Sequence, residues 1–286
     1  MASPASTDAP ASPTGERIAL LAEWVRRAAA PEGAAWFEET LSALSRDAGG
    51  HGLVRALGLA PRKLGKADLV LAKDDLARAD ALRPGFDATG LTVDQAARIA
   101  FLLAAERGDD ESFARRLMDL QRTADLAESI AYLRGLALFP GGPALLAVAA
   151  EGARSAVKPI FEAVAHRNPY PAEVFDERAW NQMVLKALFI GSALAPIRGL
   201  RERANPELAE ILVDYAHERW AAGRPVSPEL WLCVGPFADG RMLDDLARVL
   251  AAGTPDERAA AAAALETSPA EGARAVLARA GLDRGP

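Results

Sequence analysis

The chain has 286 residues, a net charge of −6, and hydrophobic and charged fractions of 50 % and 25 %, a globular balance that can fill one large core or two small ones. The acidic charge argues against a general nucleic-acid or anionic-membrane binder, which needs a basic face. No apolar run reaches the ~18 residues of a membrane span, and the one cysteine, Cys233, can form no internal disulfide, so a cytoplasmic setting is expected.

Residues 1–14 are rich in Ala, Ser, Pro and Thr and lack both a basic and an apolar region, so they read as a disordered leader rather than a signal peptide. Helical periodicity then dominates, and runs of β-branched residues with period two are absent. A first helix is expected from Gly15 to Ala30 with Ile18, Leu21, Ala22 and Val25 inward. Pro31 ends it and starts a second, Glu32 to Arg46, built on Trp36, Phe37, Leu41 and Leu44. Gly49, Gly50 and Gly52 form a loop around His51. Pro61 and Gly65 are expected to break the next helix, with Arg62, Lys63 and Lys66 clustered in the break. Arg83-Pro84-Gly85-Phe86 reads as a turn, and Thr92 with Gln95 as a capping box. Helices follow over 110–123 and 124–139, then a breaker at 140–143, then helices over 143–151 and 153–165 in which Pro159 imposes a kink or a late start.

The stretch from Ala165 to Gly191 stands apart. His166, Arg167, Asn168, Pro169, Tyr170 and Pro171 make a polar turn. Its prolines are expected to keep Asn168 and Tyr170 out of the α region. Asp176 caps a helix in which Trp180, Met183, Val184, Ala187 and Leu188 form one stripe and Leu185, Phe189 and Ile190 lie off it. Asn181, Gln182 and Lys186 are therefore polar groups on a helix with apolar residues on nearly every side. Two readings compete. Either Lys186 snorkels to water and the amides pair with backbone, or the three make the polar floor of a pocket. Beyond it, Asn205-Pro206, Ser227-Pro228, Thr254-Pro255 and Ser268-Pro269 are helix starts, and Gly223, Gly235, Gly253 and Gly281 fall at helix ends. Short helices with tight turns predict an all-α fold without significant β structure, an irregular α-solenoid of HEAT-like helix pairs.

Several runs carry a family resemblance: A-P-R-K-L-G-K-A-D-L (60–69), L-R-P-G-F-D (82–87), V-D-Q-A-A-R (93–98), H-R-N-P-Y-P (166–171), W-N-Q-M-V-L-K-A-L-F-I-G (180–191), E-R-A-N-P-E-L-A (202–209) and the run from Asp214 to Trp231. Over 60–237 the chain resembles the EboA family. The resemblance implies an EboA-like domain over 15–237, with 238–286 as repeat-like helices continuing it. It also implies a part in making or exporting a specialised metabolite, beside neighbours that resemble a prenyltransferase, a sugar-phosphate cyclase, an isomerase-like barrel and a metal-dependent hydrolase. It brings no catalytic residues.

Asp214 with His217 and Glu162 with His166 have helix-borne ligand spacing, but no second unit completes a metal site, so no metal and no cofactor are expected. Cys233 lies among Trp231, Leu232 and Val234 and reads as a core thiol. Trp180, Tyr215, Trp220 and Trp231 are at core spacing. Arg62, Lys63 and Lys66 with Arg83, or Arg167 with Lys186, have the chemistry of an anion site. The candidate ligand-binding residues are His166, Arg167, Asn168, Tyr170, Asn181, Gln182, Lys186, Arg62 and Lys66. The expected function is a non-catalytic accessory protein that holds a small metabolite or a partner enzyme of the same pathway. The rival is an enzyme acting on a cyclitol-like or prenylated molecule through His166, Lys186 and Asn181.

Overall fold

A computed structural model describes residues 12–47 and 52–282. Its regular structure is helical. The described residues contain no strand, and extended pairing is limited to isolated bridges such as Asp68 with Thr92. The chain divides into two compact units, Met1–Val174 and Phe175–Pro286.

The first unit holds α1 (Pro13–Ala28), α2 (Pro31–Arg46), α3 (Leu53–Leu64), α4 (Lys73–Leu82), α5 (Val93–Ala104), α6 (Asp110–Thr123), α7 (Leu126–Arg134), α8 (Leu146–Arg154), α9 (Lys158–Ala165) and α10 (Tyr170–Val174). Most of the leader expected over 1–14 lies outside the described residues, but Pro13 and Thr14 already belong to α1. Ser12 caps that helix, its Oγ accepting from the N–H of Gly15 at 3.2 Å. The expected glycine loop around His51 also lies outside the described residues, except for Gly52.

Helix α5 is the centre of this unit. Only Gln95 among its residues is not fully buried, and α1, α2, α3 and α7 all pack on it. Its start follows the expected box, with the Thr92 N–H donating to Gln95 Oε1 at 3.3 Å. Phe101 receives Phe37 at 5.3 Å and Trp36 edge-on at 5.7 Å between ring centroids. In a solenoid each repeat touches its neighbours only. Here α1 packs on α5 across three intervening helices, so this unit is centred on one helix and sequential stacking does not describe it.

Two proline expectations are corrected. Pro61 lies inside α3, which runs on to Leu64 and ends at Gly65 with φ +83°. Near a helix C-terminus the loss of one N–H is survivable if another donor takes the freed carbonyl, and Arg98 Nε–H does so, donating to Leu57 C=O at 3.1 Å. Tyr170 is not held out of the helical region. It is the first residue of α10, with Pro171 second, where the missing N–H would have had no partner anyway. Pro159 resolves as the late start, second in α9.

Helices α7, α8 and α9 form the part of the unit that carries the site. Both α7 and α8 pack on α9. Gly152 permits the second approach, since a Cβ there would lie 2.6 Å from Val164 Cγ2.

The second unit holds α11 (Glu177–Phe189), α12 (Pro206–Ala221), α13 (Trp231–Val234), α14 (Gly240–Ala252), α15 (Pro255–Thr267) and α16 (Glu271–Arg279). Asp176, Asn205 and Thr254 cap α11, α12 and α15 with side-chain oxygens, as their sequence positions predict. Ser227-Pro228 starts only a short 3-10 turn, and α16 begins at Glu271, later than Ser268-Pro269 suggests. Helix α14 packs on α15, and α15 on α16.

Candidate functional site

Two loops distant in sequence meet in the first unit. One is the turn after α4 (83–90) and the other the turn between α9 and α10 (166–169). The Asp87 N–H donates to the Arg167 carbonyl at 3.2 Å, and Asp87 Oδ2 lies 3.6 Å from Arg167 Nε. Gly85 fits this junction for two reasons. Its φ is +82°, and a Cβ would come within 3.0 Å of Pro169 Cβ. Arg83 fastens the other side, with Nε donating to Ala137 C=O at 2.8 Å and the guanidinium fork engaging both carboxylate oxygens of Glu173.

Arg167 has φ +54° and, among the described residues, is the one non-glycine with positive φ. This backbone costs a side-chain-bearing residue ~1–2 kcal/mol and persists where its surroundings over-determine it. They do so here. The His166 N–H closes α9 onto Glu162 C=O at 2.9 Å. Buried Asn168 accepts from the Tyr170 N–H at 3.0 Å and donates to Leu133 C=O at 3.2 Å. The Tyr170 hydroxyl donates to Gly142 C=O at 2.7 Å, and burial pushes its pKa up, so it stays a donor.

The turn thus held borders a cleft of about 200 Å³ between α7 and α9. Ile130 and Arg134 of α7 form one wall, and Pro159, Glu162, His166 and Arg167 the other. Arg134 Nη2 donates to Thr89 C=O at 2.8 Å and Nη1 to Gly90 C=O, which ties the cleft to the first loop. Burial, and then the nearby Arg167 charge, push the Arg134 guanidinium down to about 10. Lys158 sits 3.8 Å from the Glu162 carboxylate at the outer end. The cleft therefore combines two guanidinium groups, an imidazole and a carboxylate. That set binds anions and polar groups through charge-assisted contacts and offers one acid–base pair.

Of the sequence candidates, His166 and Arg167 line the cleft. Asn168 and Tyr170 lie beneath the turn, and their polar atoms fasten backbone. Arg62 and Lys66 are exposed, at the end of α3 and in the loop after it, and neither lines this cleft. Arg83 does not join them, because Ala137 and Glu173 hold its guanidinium. Sequence reasoning missed Arg134, Asp87 and Ile130. Arg134 reads as an ordinary last-turn cation, and only its packing against the 83–90 loop distinguishes it.

In the second unit, Asn181 is buried and exchanges hydrogen bonds with Asn205, donating at 3.2 Å and accepting at 2.9 Å. Asn205 Oδ1 also caps α12 by accepting from the Leu208 N–H at 2.8 Å. The Asn181 amide thus pairs with a side chain, not with backbone as one reading expected. Gln182 is exposed and Lys186 half-buried, and Phe189 is exposed, so α11 has a solvent face. Trp180 is fully buried, with the Arg203 guanidinium 4.8 Å from its ring centroid. His217 Nε2 lies 2.8 Å from both Asp245 oxygens, while Asp214 pairs with Arg241 at 3.2 Å. Cys233 is fully buried, and burial pushes its thiol up to about 12.

The profile of a family described as "Metabolite traffic protein EboA" matches residues 17–235, about three quarters of the chain. The chain belongs to the EboA family. The match takes in the whole of the cleft and starts before the first of the runs that carry the resemblance. No curated protein and no solved structure matches the chain. Among the described residues of this EboA-family chain, no helix is long and apolar enough to cross a membrane.

Proposed function

We propose that the chain is a non-catalytic accessory protein of a specialised-metabolite pathway, and that it binds a small metabolite in the cleft between α7 and α9. The observation that carries this is Arg167. Its guanidinium lines the cleft from a left-handed backbone, and the Nη groups have no hydrogen-bond partner among the described residues. Strain of that kind is retained where a side chain has a task. The family's description as a metabolite traffic protein agrees with this role.

In this reading His166 and Arg167 touch the ligand, and Asn168 and Tyr170 hold them in place. Arg62 with Lys66, and Gln182 with Lys186, are further polar surfaces for the metabolite or a partner enzyme, and Asn181 braces Asn205, the cap of α12. The domain runs over 15–237 with 238–286 continuing it, works in the cytoplasm, and stacks HEAT-like pairs where α14, α15 and α16 follow one another.

The test is retention. The purified protein is mixed with a small-molecule extract of the producing cells, desalted, and the retained compounds are identified by mass spectrometry. Wild type should hold a compound that Arg167→Gly does not. Retention of nothing, or equal retention by both, overturns the proposal. Glu162 and His166 in one cleft favour a second reading, an enzyme using them as an acid–base pair. Chemical conversion of the retained compound, abolished by His166→Gln, would select it.

A further inference from the structure

The cleft has its two guanidinium groups near one end, and Glu162, paired with Lys158, lines it further along. Arg134 and Arg167 stand at the C-terminal ends of α7 and α9. The Asn168 amide on the Leu133 carbonyl brings the C-terminal ends of α7 and α9 together, and Ile130, four residues before Arg134, and Pro159 line the same cleft further back on each helix. One further turn back, Leu126 lies on the Ile130 face of α7, because residues four apart share a face. Leu126 begins α7 and is 51 % exposed, and Val157, just before α9, is 44 % exposed. Apolar side chains thus surface at the N-terminal ends of both helices, and guanidinium groups at the other ends.

We infer that the ligand is a free anionic amphiphile, with a phosphate or carboxylate head between Arg167 and Arg134 and an apolar chain over Ile130 and Pro159 toward Leu126 and Val157. This rests on the α7–α9 cleft being the binding site, as proposed above.

Charge complementarity selects the head. The Arg167 Nη groups and Arg134 Nε have no hydrogen-bond partner among the described residues, and a guanidinium fork matches a planar or tetrahedral oxyanion. Burial first, and then the Arg167 charge, lower the basicity of Arg134, while Asp87 and Asp68 act the other way; an anion between the two guanidinium groups would add to the side of the carboxylates. Size selects the tail. A cavity of about 200 Å³ takes a head group and a few carbons, and a longer chain must leave along the helices, where the exposed apolar side chains lie.

Titration calorimetry with decyl phosphate, decanoate, methyl phosphate and decanol tests this. Decyl phosphate should bind about tenfold or more tighter than methyl phosphate, because each buried methylene adds a favourable increment. Arg167→Gly should weaken decyl phosphate and decanoate but leave decanol unchanged. Ile130→Asn should bring decyl phosphate down to the level of methyl phosphate. Both positions are partly exposed, and melting curves without ligand check that the variants fold. Equal affinity for methyl and decyl phosphate overturns the amphiphile while leaving a polar-metabolite site standing. Decyl phosphate binding that neither variant changes is detergent adsorption and also overturns it. Sedimentation with phosphatidylglycerol vesicles separates the sources. Vesicle binding without binding of monomeric decyl phosphate would mean a membrane headgroup and sink the free-ligand inference.

Discussion

The Arg98 Nε–H donates at 3.1 Å to the carbonyl of Leu57, the one that Pro61, four residues on, cannot use. The proline removes a helical donor, and a core arginine from another helix replaces it. Arg98 is paired in turn with Asp94, both almost fully buried at 1 % and 3 % side-chain exposure, and Asp94 accepts from the Thr92 hydroxyl at 2.7 Å. One buried charge pair thus connects the cap of α5 to the end of α3.

Removing one partner should be costly. Arg98→Met leaves the Asp94 carboxylate and the Leu57 carbonyl buried without their donor, a loss of ~3–5 kcal/mol. Asp94→Leu combined with Arg98→Met should recover much of it, since no charge is then stranded. Denaturant titration checks both, and a loss in Arg98→Met of less than ~1 kcal/mol, the typical net value of one neutral hydrogen bond, would refute the coupling.

Arg167 should be replaceable for folding but not for binding. Arg167→Gly relieves a left-handed strain of ~1–2 kcal/mol, offset by ~0.5–1 kcal/mol of extra chain entropy. The half-exposed contact to Asp87 contributes little. The melting temperature should stay level or rise slightly, whereas Arg167→Val should lower it, because a β-branched residue tolerates positive φ poorly. A fall in both variants alike would show that the side chain, not the backbone, stabilises the turn.

Asp75 gives a pH dependence with a definite sign. Hydrogen bonds from Arg27 first, then from the Ala72 N–H and the Trp24 indole, hold its carboxyl below the ordinary carboxylate range. A depressed folded-state pKa contributes stability above the unfolded value near ~4, and that stability is lost as pH falls through the folded value. Asp75→Asn should therefore destabilise at pH 7 and converge with wild type in strong acid. Melting curves across that range would expose the error if the gap stayed constant.

Cys233 reports on the second unit. With its thiol fully buried and pushed up to about 12, it should not react with a disulfide reagent at pH 8 in the native state. Reaction should appear only with unfolding, at a rate that follows denaturant concentration. Rapid native labelling would contradict the burial of α13.

What the residues determine locally was legible in advance. Asp176, Asn205, Thr254 and the Thr92–Gln95 box start helices where their side chains and neighbouring prolines say they should, because a cap satisfies donors two or three residues away. The all-helical class follows for the same reason, from periodicities that span a turn or two. The core reading of Cys233, Trp180, Tyr215 and Trp231 agrees with their burial, whereas Trp220, read the same way, is only half-buried.

Tertiary structure decided the rest. Nothing near Pro61 shows that Arg98 will take over its lost bond, so the proline read as a helix break. Nothing near Arg134 distinguishes it from a solvated last-turn cation until the 83–90 loop folds against it and Arg167 stands beside it across the cleft. Asn181 allowed two readings, an amide paired with backbone or part of a pocket floor, and only the fold shows that its amide faces Asn205. Each of these depends on a partner tens of residues away. Caps and periodicity are contacts within one turn and are written in adjacent residues, whereas the field and polarity of a cleft arise where distant segments are packed together.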